Sequence, residues 1–186
     1  ENEIRAWPEF GTLLGIIRDD GPIKHDLDLD FAVVSSRAVQ AKIRKAMQSA
    51  GFKLVTESIL KGSDTIIEEK YLISGVEVDI FYFVESGDQF IAYDLETASG
   101  KSIEEELPDL NYIHPYRNPL SKFNLKPRLY QSKEINIPEN LEQHLIELYG
   151  RDYQTPNPRW KNSMREKRTY SPDEVVELKI YRESET

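Results

Sequence analysis

The chain has 186 residues, enough for one domain with a real core, and it carries 24 basic against 33 acidic side chains for a formal net charge of −9. That balance argues against a protein that coats nucleic acid, because such binding rests on Lys and Arg displacing counterions; a small anionic substrate held by a metal and a few local cations remains compatible. The absence of cysteine excludes disulfides, thiolate catalysis and Cys-based zinc sites, and no apolar run reaches bilayer-spanning length.

Residues 4–7 read as a strand or extended lead into Gly11-Thr12, which precedes the apolar run Leu13-Leu14-Gly15-Ile16-Ile17 and then Arg18. We read Thr12 as the N-cap of a short helix and Gly11 as a point of close backbone approach. A helix N-terminus of this kind suits a phosphate, since its amides and dipole both favour negative charge. Gly11 and Thr12 are therefore candidate phosphate contacts, with Arg18 and Lys24 as candidate phosphate cations and Arg18 equally a structural tether.

From Asp26 to Phe31 acid and apolar residues alternate. Period two predicts a strand, running on through Val34, with Asp26, Asp28 and Asp30 on one face and Leu27, Leu29 and Phe31 turned into the core. A row of carboxylates repels itself unless a cation compensates. Oxygen ligands without a Cys or His cluster suit a hard ion, Mg²⁺ first and Mn²⁺ second. Taken singly, a Gly-Thr before a helix is an ordinary turn, and alternating aspartates can line a solvated edge strand. The two together, in this order, point to metal-assisted phosphate chemistry.

Ser35-Ser36 should cap a helix with Val39, Ile43, Ala46, Met47 and Ala50 in one stripe, ended by Gly51. Strands follow at residues 52–60, 65–73 and 76–83, and the turn residues between them predict an antiparallel meander. Within the third, Asp79 is a carboxylate in an otherwise apolar strand, costly to bury without a partner. We expect the ion held by Asp28 and Asp30 to be that partner, with Glu77 a spectator; a purely salt-bridged Asp79 is the alternative.

A strand at 89–95 comes next, then a weak capping box at Ser102-Ile103-Glu104-Glu105 cut short by Pro108. Residues 107–130 show no clear period, and Tyr112, His114, Tyr116 and Arg117 are candidates either for a pocket wall or for ordinary loop packing. A short strand at 134–137 precedes a helix opened by Pro138, with Leu141, Leu145 and Leu148 on one face and Gly150 at its end. Residues 159–168 are locally basic. They read either as a solvated tail or as a segment that folds back on a diphosphate, with Trp160 and Lys161 as contacts. Ser171-Pro172-Asp173-Glu174 reads as the start of a last helix.

The motif Gly11-Thr12-Leu13-Leu14-Gly15-x-x-Arg18-x-x-Gly21-x-Ile23-x-x-Asp26-x-Asp28-Leu29-Asp30 resembles the opening signature of the LicD family, which includes the fukutin-related proteins. Lys24-His25 stands where that pattern has Pro-Trp, and Leu27 where it has a further acid. A second block, Leu148-Tyr149-Gly150-Arg151-Asp152-Tyr153-x-x-Pro156-x-Pro158, resembles the one that closes many LicD domains, with Arg151 inserted. The resemblance implies an α+β nucleotidyltransferase fold, DNA polymerase β-like, with a mixed, mostly antiparallel sheet and helices packed on one face. It divides the chain into a catalytic domain over 1–158 and a basic extension over 159–186 with a last helix. It also implies Asp28, Asp30 and Asp79 as catalytic metal ligands, and Asp26 as a substrate contact.

The function so implied is Mg²⁺-dependent transfer of a phosphocholine or phospho-alditol unit, ribitol or glycerol phosphate, from a CDP-linked donor such as CDP-choline or CDP-ribitol to a sugar hydroxyl. The acceptor would be a surface glycan or its lipid-linked precursor, and CMP would leave. Alternatives are a nucleotidyltransferase acting on a small molecule such as an aminoglycoside or lincosamide, and a catalytically silent nucleotide-binding module of a glycan-assembly protein. No nucleic-acid partner is expected. Lack of cysteine and of Asn-x-Ser/Thr sequons leans to a cytoplasmic location, peripheral at the inner membrane face if the acceptor is lipid-linked. The sequence opens on Glu1, close to the motif, and a preceding segment is expected.

Overall fold

The computed structural model describes residues 4–24, 26–96 and 112–181. Among these residues a ten-stranded sheet forms the body, with strands in the order β11 (Thr169–Tyr170), β8 (Tyr116–Ser121), β6 (Gln89–Asp94), β5 (Val76–Ser86), β4 (Thr65–Ile73), β3 (Lys53–Leu60), β12 (Val176–Ile180) and β7 (Tyr112–Ile113), while β2 (Asp28–Val34) lies along β5 and β1 (Trp7–Pro8) along β2. The meander was legible as such: β3 (Lys53–Leu60), β4 (Thr65–Ile73) and β5 (Val76–Ser86) pair antiparallel in succession. Onto this is laid β2 (Asp28–Val34), parallel to β5, with Asp30 opposite Asp79 and Ala32 opposite Phe81. Mostly antiparallel pairing with helices inserted between strands makes the architecture α+β.

Beyond Asp30 and Asp79, the paired run of β2 and β5 is apolar on both faces, and this decides where the helices go. On one face Val33, Val78, Ile80 and Tyr82 pack with Ile43 of α2 (Arg37–Ser49), whose N-cap Ser36 accepts a bond from the Val39 amide. On the opposite face Ala32 and Phe83 pack with Phe10 of α1 (Phe10–Arg18) and Leu148 of α3 (Leu141–Tyr149). The helices thus cover both faces, not the one face expected. The cause is the two-sided hydrophobicity of β5, whose Phe81 and Phe83 need cover as much as Val78 and Ile80 do.

Further strands arise where no period was read. β8 (Tyr116–Ser121) pairs with β6 (Gln89–Asp94), and β9 (Leu125–Tyr130) forms a separate hairpin with β10 (Lys133–Pro138). Pro119 and Pro127 lie inside these strands and blur the pattern. Pro138 ends β10 instead of opening a helix, and α3 starts three residues later after Asn140. The helix expected after Pro172 is instead β12 (Val176–Ile180), paired with β3 and with β7 (Tyr112–Ile113). Val-Glu-Leu-Lys-Ile alternates with period two, and that outweighs the helix-start signal at Ser171, whose hydroxyl bonds Glu174 at 2.8 Å in a turn. β11 (Thr169–Tyr170) pairs with β8, so both strands of the C-terminal stretch belong to the same sheet. The capping box at 102–105 lies outside the described residues.

The C-terminal stretch is fastened by Glu147 of α3. Its carboxylate accepts from the Ser121 amide (2.9 Å) and hydroxyl (2.7 Å), from Lys167 (2.9 Å) and from Gln143 (3.2 Å). Burial alone would raise its pKa, but these donors outweigh burial and hold it at about 2, below an ordinary value of 4.5. A carboxyl with a depressed folded pKa stabilises above its unfolded value and loses that contribution as the pH falls through the folded one. Glu147→Gln should therefore lower the urea midpoint at pH 7, with the gap to wild type closing as the pH falls from about 4.5 to about 2.

Candidate active site

The four residues that follow β1 (Trp7–Pro8), Glu9 to Thr12, set the site. The Glu9 amide donates to the Asp30 carbonyl (3.0 Å), and the Asp30 amide donates to Thr12 Oγ1 (2.8 Å). Thr12 is therefore not the N-cap. That position falls to Glu9, which gives no side-chain cap, and Thr12 serves as a strut from inside the helix to β2. Phe10 adopts φ +41°, a conformation that costs a side-chain-bearing residue of order 1 kcal/mol. The strain turns the first turn of α1 toward the carboxylates. There an added Cβ on Gly11 would stand 2.1 Å from Asp26 Oδ2.

Glu9 also anchors the helix start from below. Its buried carboxylate accepts from Trp7 Nε1 and sits 2.7 Å from Nε2 of the equally buried His144 on α3. Sequence reading missed this pair because its members are 135 residues apart and neither lies in a motif.

Asp26, Asp28 and Asp30 come together, each offering an oxygen within 4.8 Å of the others'. The strand begins at Asp28, and Asp26 lies in the approach to it. Burial raises the Asp26 pKa to about 6, helped by a hydrogen bond and repulsion from Asp28. Asp30 is pushed well above the usual carboxylate range, first by burial and then by Asp28, Asp79, Asp26 and Glu9. Asp79 is 5% exposed and lies beside Asp30 across the β2–β5 pair. Its Oδ2 is 3.7 Å from Nζ of Lys70 on β4, which also lies 3.5 Å from Glu77. Lys70 was absent from the sequence reading, since only the sheet register brings it beside Asp79.

The apolar partners of the aspartate strand do not behave as period two suggests. Leu27 is 89% exposed and Leu29 36% exposed; only Phe31 reaches the core packed by α2. Leu27 precedes the strand and Leu29 sits near its start, beyond the cover of any described helix.

The acids floor a cleft of about 1060 Å³. Its walls include Phe10 and Gly11 of α1, Lys70 and Glu68 of β4, and residues of the segment after α3, among them Asp152, Pro156 and Trp160. Arg18 also lines it, but is hydrogen-bonded by Nε and Nη2 to Asp19 (2.9 and 2.7 Å). Lys24 and Lys161 are exposed and are not among the lining residues. Neither are Tyr112, His114, Tyr116 and Arg117. They pack locally, Lys61 over the Tyr112 ring, the Tyr170 ring against His114 and Tyr116, and Arg117 near Glu174.

A model of the LicD/FKTN/FKRP family, described as its nucleotidyltransferase domain, matches residues 3–140. The chain belongs to this LicD family. Within the match lie both glycines of α1, the aspartate trio, Lys70 and Asp79; the cleft wall built after α3 lies beyond it. An uncharacterized protein of Rickettsia typhi is 30% identical over 93 residues, which are 49% of this chain and 26% of that protein. The likeness thus spans about a quarter of that relative's length.

The three oxygens suit a divalent ion on two grounds: all are hard donors, and the burial and crowding that push the Asp26 and Asp30 carboxyls up toward their neutral forms would be offset by a bound cation. The two glycines of α1 separate site from scaffold. Gly11→Ala meets the end of a movable side chain, Asp26, whereas Gly15→Ala meets backbone, the Gly21 carbonyl at 2.5 Å. Gly11→Ala should therefore keep a near-native melting temperature while losing the stabilisation that added Mg²⁺ gives. Gly15→Ala should lower the melting temperature itself, by several degrees for about 1–3 kcal/mol of overpacking.

Proposed function

We propose that this chain is a metal-dependent transferase of the nucleotidyltransferase-fold type that moves a phosphocholine or phospho-alditol unit from a CDP-linked donor to a sugar hydroxyl of a glycan or its lipid-linked precursor. The observation that carries the reading is the convergence of Asp26, Asp28 and Asp30 beside the N-terminus of α1, at the floor of a cleft large enough for a nucleotide. Family membership supports a transferase and a glycan acceptor.

In this reading Asp28 and Asp30 hold Mg²⁺, or Mn²⁺, with Asp26 and Asp79 completing the charge around it. A bound divalent ion supplies Lewis-acid charge for the donor phosphates. The amides at the start of α1, beside Gly11, bind phosphate oxygens. Asp79 accepts the proton of the attacking hydroxyl. A new O–P bond forms as the bond to the CMP oxygen breaks, and CMP carries the electron pair away. Lys70 keeps Asp79 in place. Trp160, Pro156 and Pro158 line the same cleft. No described helix is long and apolar enough to cross a membrane, and a cytoplasmic site of action is part of the proposal.

The family's character as a nucleotidyltransferase domain keeps a second reading in play, transfer of the nucleotide itself with release of pyrophosphate. Phosphorus NMR on CDP-choline, CDP-ribitol and CDP-glycerol with Mg²⁺ and candidate glycans separates the two. We expect CMP to accumulate from one donor, and Asp28→Asn or Asp30→Asn to lower turnover by about a thousandfold or more. Pyrophosphate release from a nucleoside triphosphate, with every CDP donor untouched, would favour the second reading.

A further inference from the structure

We propose that Arg165 is a phosphate-binding residue of the cleft, supplied by a segment beyond the stretch the family model matches. The inference rests on the reading of the cleft as a site for a phosphate-bearing substrate, and it names the side chain that fixes that substrate opposite the aspartates.

Among the described residues, three cationic side chains line the cleft: Arg18, Lys70 and Arg165. Arg18 is occupied by Asp19, and Lys70 faces Glu77 and Asp79. Arg165 is different. Its side chain is only 6% exposed, and its guanidinium is stacked, with Cζ 4.7 Å from the Phe10 ring centre and 5.4 Å from that of Trp160. Buried between two rings, its Nε has no hydrogen-bond partner among the described residues. Asp94 lies 3.7 Å from Nη1, too far for a hydrogen bond, and is itself engaged by Arg168 (2.8 Å) and Asn162 (3.2 Å).

A buried N–H left without an acceptor costs free energy unless something external satisfies it. Here the two aromatic contacts hold the guanidinium in place before any ligand arrives. A planar fork of this kind matches two oxygens of one phosphate, which a lysine cannot do. The position fits as well. Phe10, whose ring Arg165 contacts, is the first residue of α1, and Gly11 and Arg165 line the same cleft. Tyr149 sits between the two sides of the cleft: its ring packs on Trp160, and its phenol feels Arg165 together with Asp30, Glu9 and Asp26. A phosphate in this space would meet backbone amides on one side and Arg165 on another, with the aspartates and their ion beyond.

Glu147, Asp94 and Glu96 hold the supporting segment, through Lys167 and Arg168. Their hydrogen bonds hold the segment that carries Arg165, whose own contact with Asp94 is a longer ion pair of 3.7 Å. This explains why a locally basic stretch in an acidic chain is folded onto the body, although Lys161 within it stays exposed.

The test is calorimetric titration of the full chain with inorganic pyrophosphate, in chelator-treated buffer and again with Mg²⁺. Wild type should bind in both, more tightly with Mg²⁺. Arg165→Gln should weaken binding about tenfold or more in both buffers, and Arg165→Lys should restore part of it, since charge returns without the fork. Asp28→Asn should abolish the gain from Mg²⁺ without weakening metal-free binding, since it removes a negative charge from the cleft floor. That pattern separates the two readings: an effect of Arg165 with no effect of Mg²⁺ or Asp28 would uphold this inference and sink the metal site. Equal pyrophosphate affinity in wild type and Arg165→Gln would overturn it, as would no binding by wild type. If Arg165→Gln melts early, Arg165→Lys decides, because a purely structural arginine predicts wild-type pyrophosphate affinity in a folded Lys variant.

Discussion

Repulsion among carboxylates is the constraint around which this chain is built. Three aspartates approach one another within 4.8 Å, and a fourth, Asp79, is paired beside them by the parallel register of β2 on β5. Two unit charges about 4 Å apart repel by about 4 kcal/mol at an effective permittivity of about 20, so the arrangement opposes folding unless it is held from outside. The holding is visible. Glu9 and Thr12 bond β2 on either side of Asp30, Lys70 stands against Asp79, and the two-sided core of β5 fixes the register. A fold that stabilises such a cluster by so many separate contacts has stability to set against function there.

The site joins parts that are far apart in sequence. The start of α1 and β2 give the carboxylates and the helix amides; β4 and β5 give Lys70 and Asp79; the segment after α3 gives the far wall. Glu9–His144 ties the first of these to α3, and Glu147–Lys167 ties α3 to the last. Both links converge on α3, so the helix joins the carboxylate floor of the cleft to its wall.

Much of this could be read from residues alone, because the signals are local. Alternating acids define a strand whatever it packs on, and Ser36, Gly51 and the turns of the meander bound their elements through backbone geometry that needs no partner. What escaped reading depends on long-range pairing. Lys70 lies in a strand with no motif and gains meaning only through its register with Asp79. Arg165 is one cation among several until Phe10 and Trp160 enclose it. The error at Thr12 has a similar source: Gly-Thr before an apolar run looks like a cap, but the chain turns one step earlier, at a strained Phe10, and spends the threonine hydroxyl on β2. At Val176–Ile180 a local helix-start signal lost to strand alternation and to open edges on β3 and β7.

The central claim is that the aspartate cluster binds a divalent cation that the fold leaves it needing. Electron paramagnetic resonance of free Mn²⁺ during titration with the protein measures this directly, without any assumption about donor or acceptor. The account predicts saturable binding that is lost in Asp30→Asn and kept in Asp152→Asn, which alters the cleft wall but not the cluster. Saturable binding that survives Asp30→Asn, or no binding at all by the wild-type chain, would contradict it.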